Sequence, residues 1–302
     1  FVAVFLSILI SVPVLNFAID PLALYRDKDS FPFKTFEHHV SRGLQFEQIL
    51  ARASRTESET VLLGTSHVGV GFNTCDLDVE RLWLSDMSWA ETERILQTVT
   101  ANVLTERLVI LDLAALGGER NMKKKELRLQ DTLYSYELAR LSVLRLLNVG
   151  EGSVKSCEAF IPHANARGIF DVPESFHRAF SSNPEMIEAS ITALAETCRN
   201  PAVTVAVVFF PFHFSLDALT IAGGLSGLLD GRETLSVQIP EGGCKFEIVN
   251  LAGTIYQEQS AAGLLGKSRE GWFDFNHFLP VLGRLYLDRV LSELESIGQE
   301  GL

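Results

Sequence analysis

The sequence predicts an α/β protein with three layers, in which helices cover both faces of a five-stranded parallel sheet. Apolar runs of strand length alternate along the chain with amphipathic segments of helical length. The runs are continuously apolar, which is typical of strands buried on both faces of a parallel sheet. The chain has 302 residues, 47% of them hydrophobic, which is enough for one large core.

Five segments are predicted as strands because they are short and apolar. The fourth is the strongest, since it is rich in β-branched and aromatic residues. In chain order the predicted strands are Val61–Leu63, Leu82–Leu84, Arg107–Leu113, Val203–Phe210 and Phe246–Leu251.

Helices are predicted where apolar residues recur at helical spacing. The predicted helices are Ala90–Val103, Thr132–Val149, Pro184–Arg199, Leu216–Leu229 and Pro280–Ile297. In the first, Ile95, Val99 and Val103 share a face. The last begins with a proline, which suits a first helical turn. The second helix places four leucines on one side, namely Leu138, Leu141, Leu144 and Leu147.

The N-terminal segment, residues 1–19, contains no charged side chain. Nineteen residues at a rise of ~1.5 Å nearly cross a hydrocarbon core of ~30 Å. We therefore predict a single transmembrane anchor, with a cleaved signal peptide or a buried core helix as alternatives. Residues 20–58 are predicted as a connector, and residues 59–302 as the α/β domain with an insertion around 114–182.

The net charge of −12 argues against nucleic acid as a partner. The densest basic cluster, Lys123–Lys125, is followed by Glu126 and is typical of a solvated segment. The glycine-rich motifs of nucleotide-binding domains are absent from the sequence. We expect no nucleic acid partner and no cofactor.

The four cysteines, Cys75, Cys157, Cys198 and Cys244, are widely spaced. Because no pair has the C-x-x-C spacing, a structural zinc site is not supported. The pattern favours four buried free thiols. One disulfide is the alternative if the domain lies outside the cytoplasm.

A candidate nucleophile, Ser66, lies in the turn Gly64–His67 directly after the first predicted strand. A serine hydroxyl needs an imidazole to take its proton and a carboxylate to orient that imidazole. Asp274 and His277 lie three residues apart just before the last predicted helix, so both side chains can reach one side. The alternatives are that Ser66 or Asp274 only caps a helix.

Other candidate residues lie close to the carboxyl ends of strands, where α/β sheets bind ligands. Asp112 and His213 each lie near or after a strand end. His67 is adjacent to Ser66 and cannot be its base, but it could contact substrate. Gly64 permits a tight turn, and the start of a helix after it would supply N–H groups to an oxyanion.

Together these residues resemble the SGNH/GDSL hydrolases, in particular the membrane-anchored SGNH-like proteins found among bacterial exopolysaccharide and cell-envelope genes. DltD-like and alginate O-acetylation proteins are relatives in broad architecture. The matching pieces span nearly the whole chain: Ala18–Pro21 after the anchor, Val61–His67, Val109–Asp112, Phe210–His213, Asp274–His277 and Gly283.

The resemblance implies a flavodoxin-like, three-layer fold in which Ser66 is the nucleophile, His277 its base and Asp274 the orienting carboxylate. It implies ester hydrolysis or acyl transfer to an envelope polysaccharide, outside the cytoplasmic membrane. The family also supplies an oxyanion glycine from a second block and an asparagine from a third. Leu84–Trp89 lacks that glycine and the stretch around Asp112 lacks that asparagine. A backbone N–H of Ser88 or Met87 could substitute, and a non-catalytic scaffold or glycan-binding role is the alternative.

Overall fold

The computed structural model describes residues 2–20, 22, 24–25, 41–85, 87–101, 103–112, 135–147, 157–159, 184–211, 241–252, 254–255, 258, 271–272 and 277–300. Its centre is a parallel sheet of five strands. The strands are β1 (Thr60–Gly64), β2 (Val79–Trp83), β3 (Arg107–Asp112), β4 (Val203–Val208) and β5 (Lys245–Val249). The predicted α/β class and the five-stranded parallel sheet are confirmed.

The strand order is β2-β1-β3-β4-β5. From β1 the chain crosses to β2 on one side and then to β3 on the other, so the order reverses at β1. In doubly wound sheets, ligands bind at such a reversal, beyond the carboxyl ends of the strands. Leu63 of β1 is in register with Leu111 of β3. The residues that follow each of them, Gly64 and Asp112, therefore lie side by side at that edge.

The sheet is covered on both faces, because consecutive residues of its inner strands are all buried. Val61, Leu62 and Leu63 each have no exposed surface, although neighbouring residues in a strand point to opposite faces. The described helices are α1 (Val2–Ile19), α2 (Arg42–Ala53), α3 (Ser66–Gly71), α4 (Trp89–Thr100), α5 (Tyr136–Leu146), α6 (Pro184–Thr197) and α7 (Pro280–Glu300). Helices α3 and α7 pack against each other, and so do α4 and α6.

The predicted elements within the described residues differ from the observed ones mainly at their ends. The predicted leucine face of the second helix is wrong at one position. Leu138 and Leu141 are buried, whereas Leu147 lies beyond the end of α5 and is 65% exposed. The predicted helix 216–229 lies outside the described residues.

The chain divides into two compact units, residues 1–56 with 122–156, and residues 57–121 with 157–302. In the first unit α1 packs against α5. Asn16 is fully buried between them, and its side-chain oxygen accepts a hydrogen bond from the Ser142 hydroxyl at 3.1 Å. Leu22, Leu44, Leu138 and Leu141 form the apolar cluster of this unit.

Asp20 directly follows the last residue of α1. Its φ of 43° lies in the left-handed region, which aspartate tolerates better than most residues. Its carboxylate accepts the N–H groups of Leu24 at 2.7 Å and Tyr25 at 2.9 Å. Among the helices that the structure describes, none has both the length and the apolarity needed to cross a membrane.

The prediction of four free thiols is wrong, because the cysteines form two disulfides, Cys75–Cys157 and Cys198–Cys244. Cys198 follows α6 and Cys244 precedes β5, and the N–H of Cys244 donates to the Cys198 carbonyl at 3.1 Å. Sequence spacing concealed this pair because pairing of β4 with β5 brings together segments that lie 46 residues apart. Cys75 is also exposed rather than buried.

Candidate active site

The candidate nucleophile lies on the turn between β1 and α3. β1 ends at Gly64, Thr65 is the N-cap residue, and Ser66 is the first residue of α3. Ser66 is therefore not the cap of this helix, which was one alternative for its presence. It is half-buried, whereas its neighbours Thr65 and His67 are buried. The turn thus presents the Ser66 hydroxyl at the carboxyl end of the sheet.

His277 meets Ser66 although 211 residues separate them in the sequence. Its Nε2 lies 2.9 Å from Ser66 Oγ, which is hydrogen-bonding distance for a serine and its base. For Nε2 to accept the serine proton, Nδ1 must carry the ring's other proton. Asp274, the predicted partner of Nδ1, lies outside the described residues. The Ser66–His277 pair has the geometry of an activated nucleophile.

Backbone contacts of residues 271–272 with residues 278–279 hold the segment that contains His277 in place. Trp272 and Phe278 form an antiparallel bridge, and the N–H of Leu279 donates to the Gly271 carbonyl at 2.7 Å. Gly271 has a φ of +79°, and a Cβ there would collide with Leu282. The chain can therefore turn back on itself at this point only with glycine.

Phe278 anchors the same segment in the core. It is completely buried, and its ring contacts five other aromatic rings. The rings are those of Phe72, Phe210, Trp272, Tyr286 and His67, at centroid distances of 5.1 to 6.1 Å. Because Phe278 directly follows His277, this packing restricts where the imidazole can lie.

Helices α3 and α7 approach each other through two glycines. A Cβ on Gly283 of α7 would overlap the backbone oxygen of Gly71 in α3, and a Cβ on Gly71 would overlap the Phe278 ring. This contact joins the helix that carries Ser66 to the helix that follows His277. Gly283, one of the residues that carry the family resemblance, therefore lies at the contact between the helix of Ser66 and the helix that follows His277.

Asp112, at the end of β3, contacts both neighbours of Ser66. Its Oδ2 accepts a hydrogen bond from Thr65 Oγ1 at 3.2 Å and lies 3.5 Å from His67 Nδ1. Both Asp112 and His67 are almost fully buried, at 1% and 2% exposure. They therefore lie behind Ser66 instead of lining an open surface. A Cβ on Gly64 would collide with Asp112, so the predicted tight turn is also a close packing contact.

Gly69 of α3 packs against the Trp83 ring. Arg81 of β2 is buried beneath the same helix, with 1% exposure. Its guanidinium donates to the carbonyls of Gly69 and Phe72 at the end of α3 and to that of Glu158. A cation at a helix C-terminus is favourable, so Arg81 stabilises the helix that carries Ser66.

Ser88, the other candidate oxyanion donor, precedes α4. Its backbone N–H and its hydroxyl both donate to the carboxylate of Glu91, each at 2.8 Å. This is the glutamate half of a capping box, in which the third helical residue reaches back to the cap. In this arrangement the Ser88 N–H is engaged by Glu91.

His213 lies outside the described residues. Within the part of the chain that the structure describes, no group of three or more His, Cys, Asp or Glu side chains is arranged to hold a metal ion. Sequence reasoning did not identify Arg81 or Phe278. The only signal for Arg81 was an arginine inside an otherwise apolar strand, and Phe278 gave no signal beyond its place next to His277.

The arrangement pairs a half-buried serine with an imidazole at the reversal point of a parallel sheet, which can support nucleophilic attack on an acyl group. A scan against protein-family models finds no matching family, and a search of curated proteins finds no matching relative.

Proposed function

We propose that this protein is a serine esterase or O-acyltransferase that works through an acyl-enzyme on Ser66. The observation that carries the proposal is the distance of 2.9 Å between His277 Nε2 and Ser66 Oγ. The two residues come from opposite ends of the domain sequence, so their meeting depends on the whole fold. A serine that only capped a helix would not need an imidazole at its hydroxyl.

In the proposed reaction Ser66 Oγ attacks the carbonyl carbon of an ester while His277 takes the hydroxyl proton. His277 then gives this proton to the departing alcohol, which leaves the acyl group on Ser66. Water, or the hydroxyl of an acceptor sugar, attacks the acyl-serine as His277 again serves as base. Water yields hydrolysis, and a sugar yields transfer.

The N–H groups of the first turn of α3 are the proposed donors to the oxyanion. N–H groups at the start of a helix lack the acceptors that later turns have; of those in α3, the Val68 N–H donates to the Thr65 carbonyl at 3.1 Å and is engaged there. Ser88 is a weaker candidate than the sequence suggested, since its N–H donates to Glu91. Removing one oxyanion donor costs on the order of 10²- to 10³-fold in rate, so these donors decide how active the enzyme is.

We propose an envelope or exported polysaccharide as the substrate and the extracytoplasmic side of the cytoplasmic membrane as the location. The substrate class rests on the resemblance to membrane-anchored SGNH-like proteins. The two disulfides support the location, because disulfides persist in oxidising compartments. The proposal of a single-pass anchor rests on the uncharged sequence of residues 1–19 alone, since no described helix has the length and apolarity to cross a membrane.

Labelling with a fluorophosphonate probe tests the catalytic proposal. The full chain is purified in a mild detergent beside Ser66→Ala and His277→Ala, with Ser296→Ala as the control. Ser296 is exposed on α7, and its hydroxyl bonds only within its own helix. We expect the wild type and the control to label and the two site variants not to label. Labelling that survives in Ser66→Ala would refute an activated Ser66.

Extraction of cell membranes with alkaline carbonate tests the anchor. An integral protein stays in the membrane fraction, and protease added to intact spheroplasts should cleave a domain that lies outside. Release by carbonate would refute the anchor, and protection from protease would refute the proposed side of the membrane.

A non-catalytic scaffold or glycan-binding role is the second candidate. The engagement of the Ser88 N–H by Glu91, together with the absence of a glycine in Leu84–Trp89, favours it. This candidate predicts a folded wild type that does not label, and a Ser66→Ala strain with unchanged envelope polysaccharide. A labelled wild type would exclude it.

A further inference from the structure

The carboxylate of Asp112 touches the residue before Ser66 and the residue after it. Oδ2 accepts the Thr65 hydroxyl at 3.2 Å and lies 3.5 Å from His67 Nδ1. All three side chains are at most 8% exposed, whereas Ser66 between them is half-buried and faces His277. One buried oxygen thus accepts a hydrogen bond from the residue before the nucleophile and lies within ion-pair distance of the residue after it.

The contact depends on parallel strand register and on Gly64. Leu63 pairs with Leu111, so the turn that carries Ser66 and the side chain of Asp112 lie next to each other at the carboxyl end of the sheet. A Cβ at Gly64 would be 2.6 Å from Asp112 Cβ and 3.2 Å from its Oδ2. Only glycine lets the carboxylate approach this closely.

Burying a carboxylate is costly unless it is hydrogen-bonded or paired with a cation. The Asp112 carboxylate accepts a hydrogen bond from the Thr65 hydroxyl. Its Oδ2 lies 3.5 Å from His67 Nδ1, and the two form an ion pair when that imidazole is protonated. His67 in turn meets the His277 ring edge-on, with centroids 5.9 Å apart. The buried carboxylate therefore holds the serine turn and, through His67, one side of the His277 imidazole.

We propose that Asp112, Thr65 and His67 are positioning residues that fix Ser66 against His277. Asp112 Oδ2 restrains the turn on both sides of the nucleophile, and His67 supports the ring of the base. None of the three is assigned a role in proton transfer. The idea rests on the proposed function for its catalytic consequence, whereas the restraint of the turn can be tested separately.

The test uses the full chain and two readouts. The first is phosphonate labelling, analysed as the maximal rate of inactivation and the probe concentration that gives half of it. The second is hydrogen exchange of the backbone amides in residues 64–71. The variants are Asp112→Ala, Asp112→Asn, Thr65→Val and Thr65→Ser.

Thr100→Val is the matched control. Thr100 is buried to a similar degree, and its hydroxyl also makes one hydrogen bond, to the Gln97 carbonyl. Thr100 is the last residue of α4, and its carbonyl accepts a hydrogen bond from the Asn200 side chain. Because Asn200 lies just before the first residue of β4, Thr100 is at the amino edge of the sheet, opposite Ser66.

We expect Asp112→Ala to lower the maximal inactivation rate by about 10- to 100-fold, the effect of a nucleophile misplaced by ~1 Å, while the half-saturating concentration stays the same. Asp112→Asn keeps an oxygen for Thr65 and should fall between the wild type and Asp112→Ala. Thr65→Ser should recover the rate lost in Thr65→Val. Exchange in residues 64–71 should accelerate in the impaired variants and not in Thr100→Val.

Wild-type inactivation rates and exchange in a folded Asp112→Ala protein would overturn the proposal. If Asp112→Ala does not fold, Asp112→Asn and the two Thr65 variants decide in the same way. If the wild type does not label, the proposed enzyme activity fails, and exchange alone then decides whether Asp112 restrains the turn. The two failures are therefore distinguishable.

Discussion

Replacing Gly283 by alanine should stabilise the protein according to helix propensity, but it should destabilise the protein according to the contact between Gly283 and Gly71. Alanine is a better helix former than glycine by about 1 kcal/mol, so Gly283→Ala in α7 should stabilise the protein if only the helix mattered. In the fold, the new Cβ would lie more than an ångström inside ordinary contact with the Gly71 carbonyl oxygen. That oxygen belongs to the backbone and cannot rotate away.

Overpacking of this kind typically lowers the free energy of unfolding by about 1–3 kcal/mol. We expect a value at the upper end of this range, because the overlapping atom belongs to the backbone. After the gain in helix propensity is subtracted, we expect Gly283→Ala to lower the free energy of unfolding by about 1–2 kcal/mol. The two helices can relieve the overlap only by moving apart. This moves His277 away from Ser66, so labelling of Ser66 should also fall.

The assay is urea denaturation followed by circular dichroism, beside Ser292→Ala as the control. Ser292 is exposed on the same helix, so its replacement tests helix propensity without a tertiary contact. The control should gain up to about 0.5 kcal/mol. A Gly283→Ala protein that is as stable as the control, with unchanged labelling, would refute the close approach of α3 and α7.

Three further predictions concern the rest of the domain. Replacing Cys198 and Cys244 by serine should lower the free energy of unfolding by about 2–4 kcal/mol, as measured by urea denaturation. A reductant should lower the free energy of unfolding of the wild type by breaking this disulfide, and it should cause no such loss from this pair in the variant. Arg81→Met should lower the free energy of unfolding by about 3 kcal/mol, because it leaves buried carbonyls at the end of α3 without their donor. Arg81→Lys should recover only part of this loss, since an ammonium cannot span all three acceptors. Thermal unfolding of the two variants measures the difference. Burial raises the pKa of Tyr286, so the phenol contributes stability that is present below its unfolded pKa of about 10 and is lost as pH rises above it. Between pH 9 and 11, the free energy of unfolding of Tyr286→Phe should therefore fall less than that of the wild type. Equal losses would contradict a raised pKa of Tyr286.

Most of the sheet could be predicted from the sequence, because strand identity depends on local apolar runs. Val203–Val208 is β-branched throughout apart from one alanine, and a buried strand is the natural structure for it. The helix Trp89–Thr100 was predicted to within a few residues for the same reason, as its apolar positions recur at helical spacing. Errors arose at ends, as at Leu147, where periodicity continued beyond the last helical turn.

The candidate site was predictable only in its residue types. A serine after the first strand and a histidine before the last helix were visible in the sequence, but their separation of 2.9 Å was not. The cysteine prediction failed for a related reason. Pairing of Cys198 with Cys244 depends on which strands are neighbours, and residue spacing carries no such information.

The sequence by itself determined the strands, most of the helices, the parallel α/β class and the chemical types at Ser66 and His277. These follow from side-chain polarity and local backbone preference, which act over a few residues. The tertiary structure alone decided that Asp112 contacts both neighbours of Ser66, that Arg81 supports α3, and that α7 reaches α3 through Gly283. Such contacts join residues tens to hundreds of positions apart, and they exist only once packing has fixed which surfaces meet.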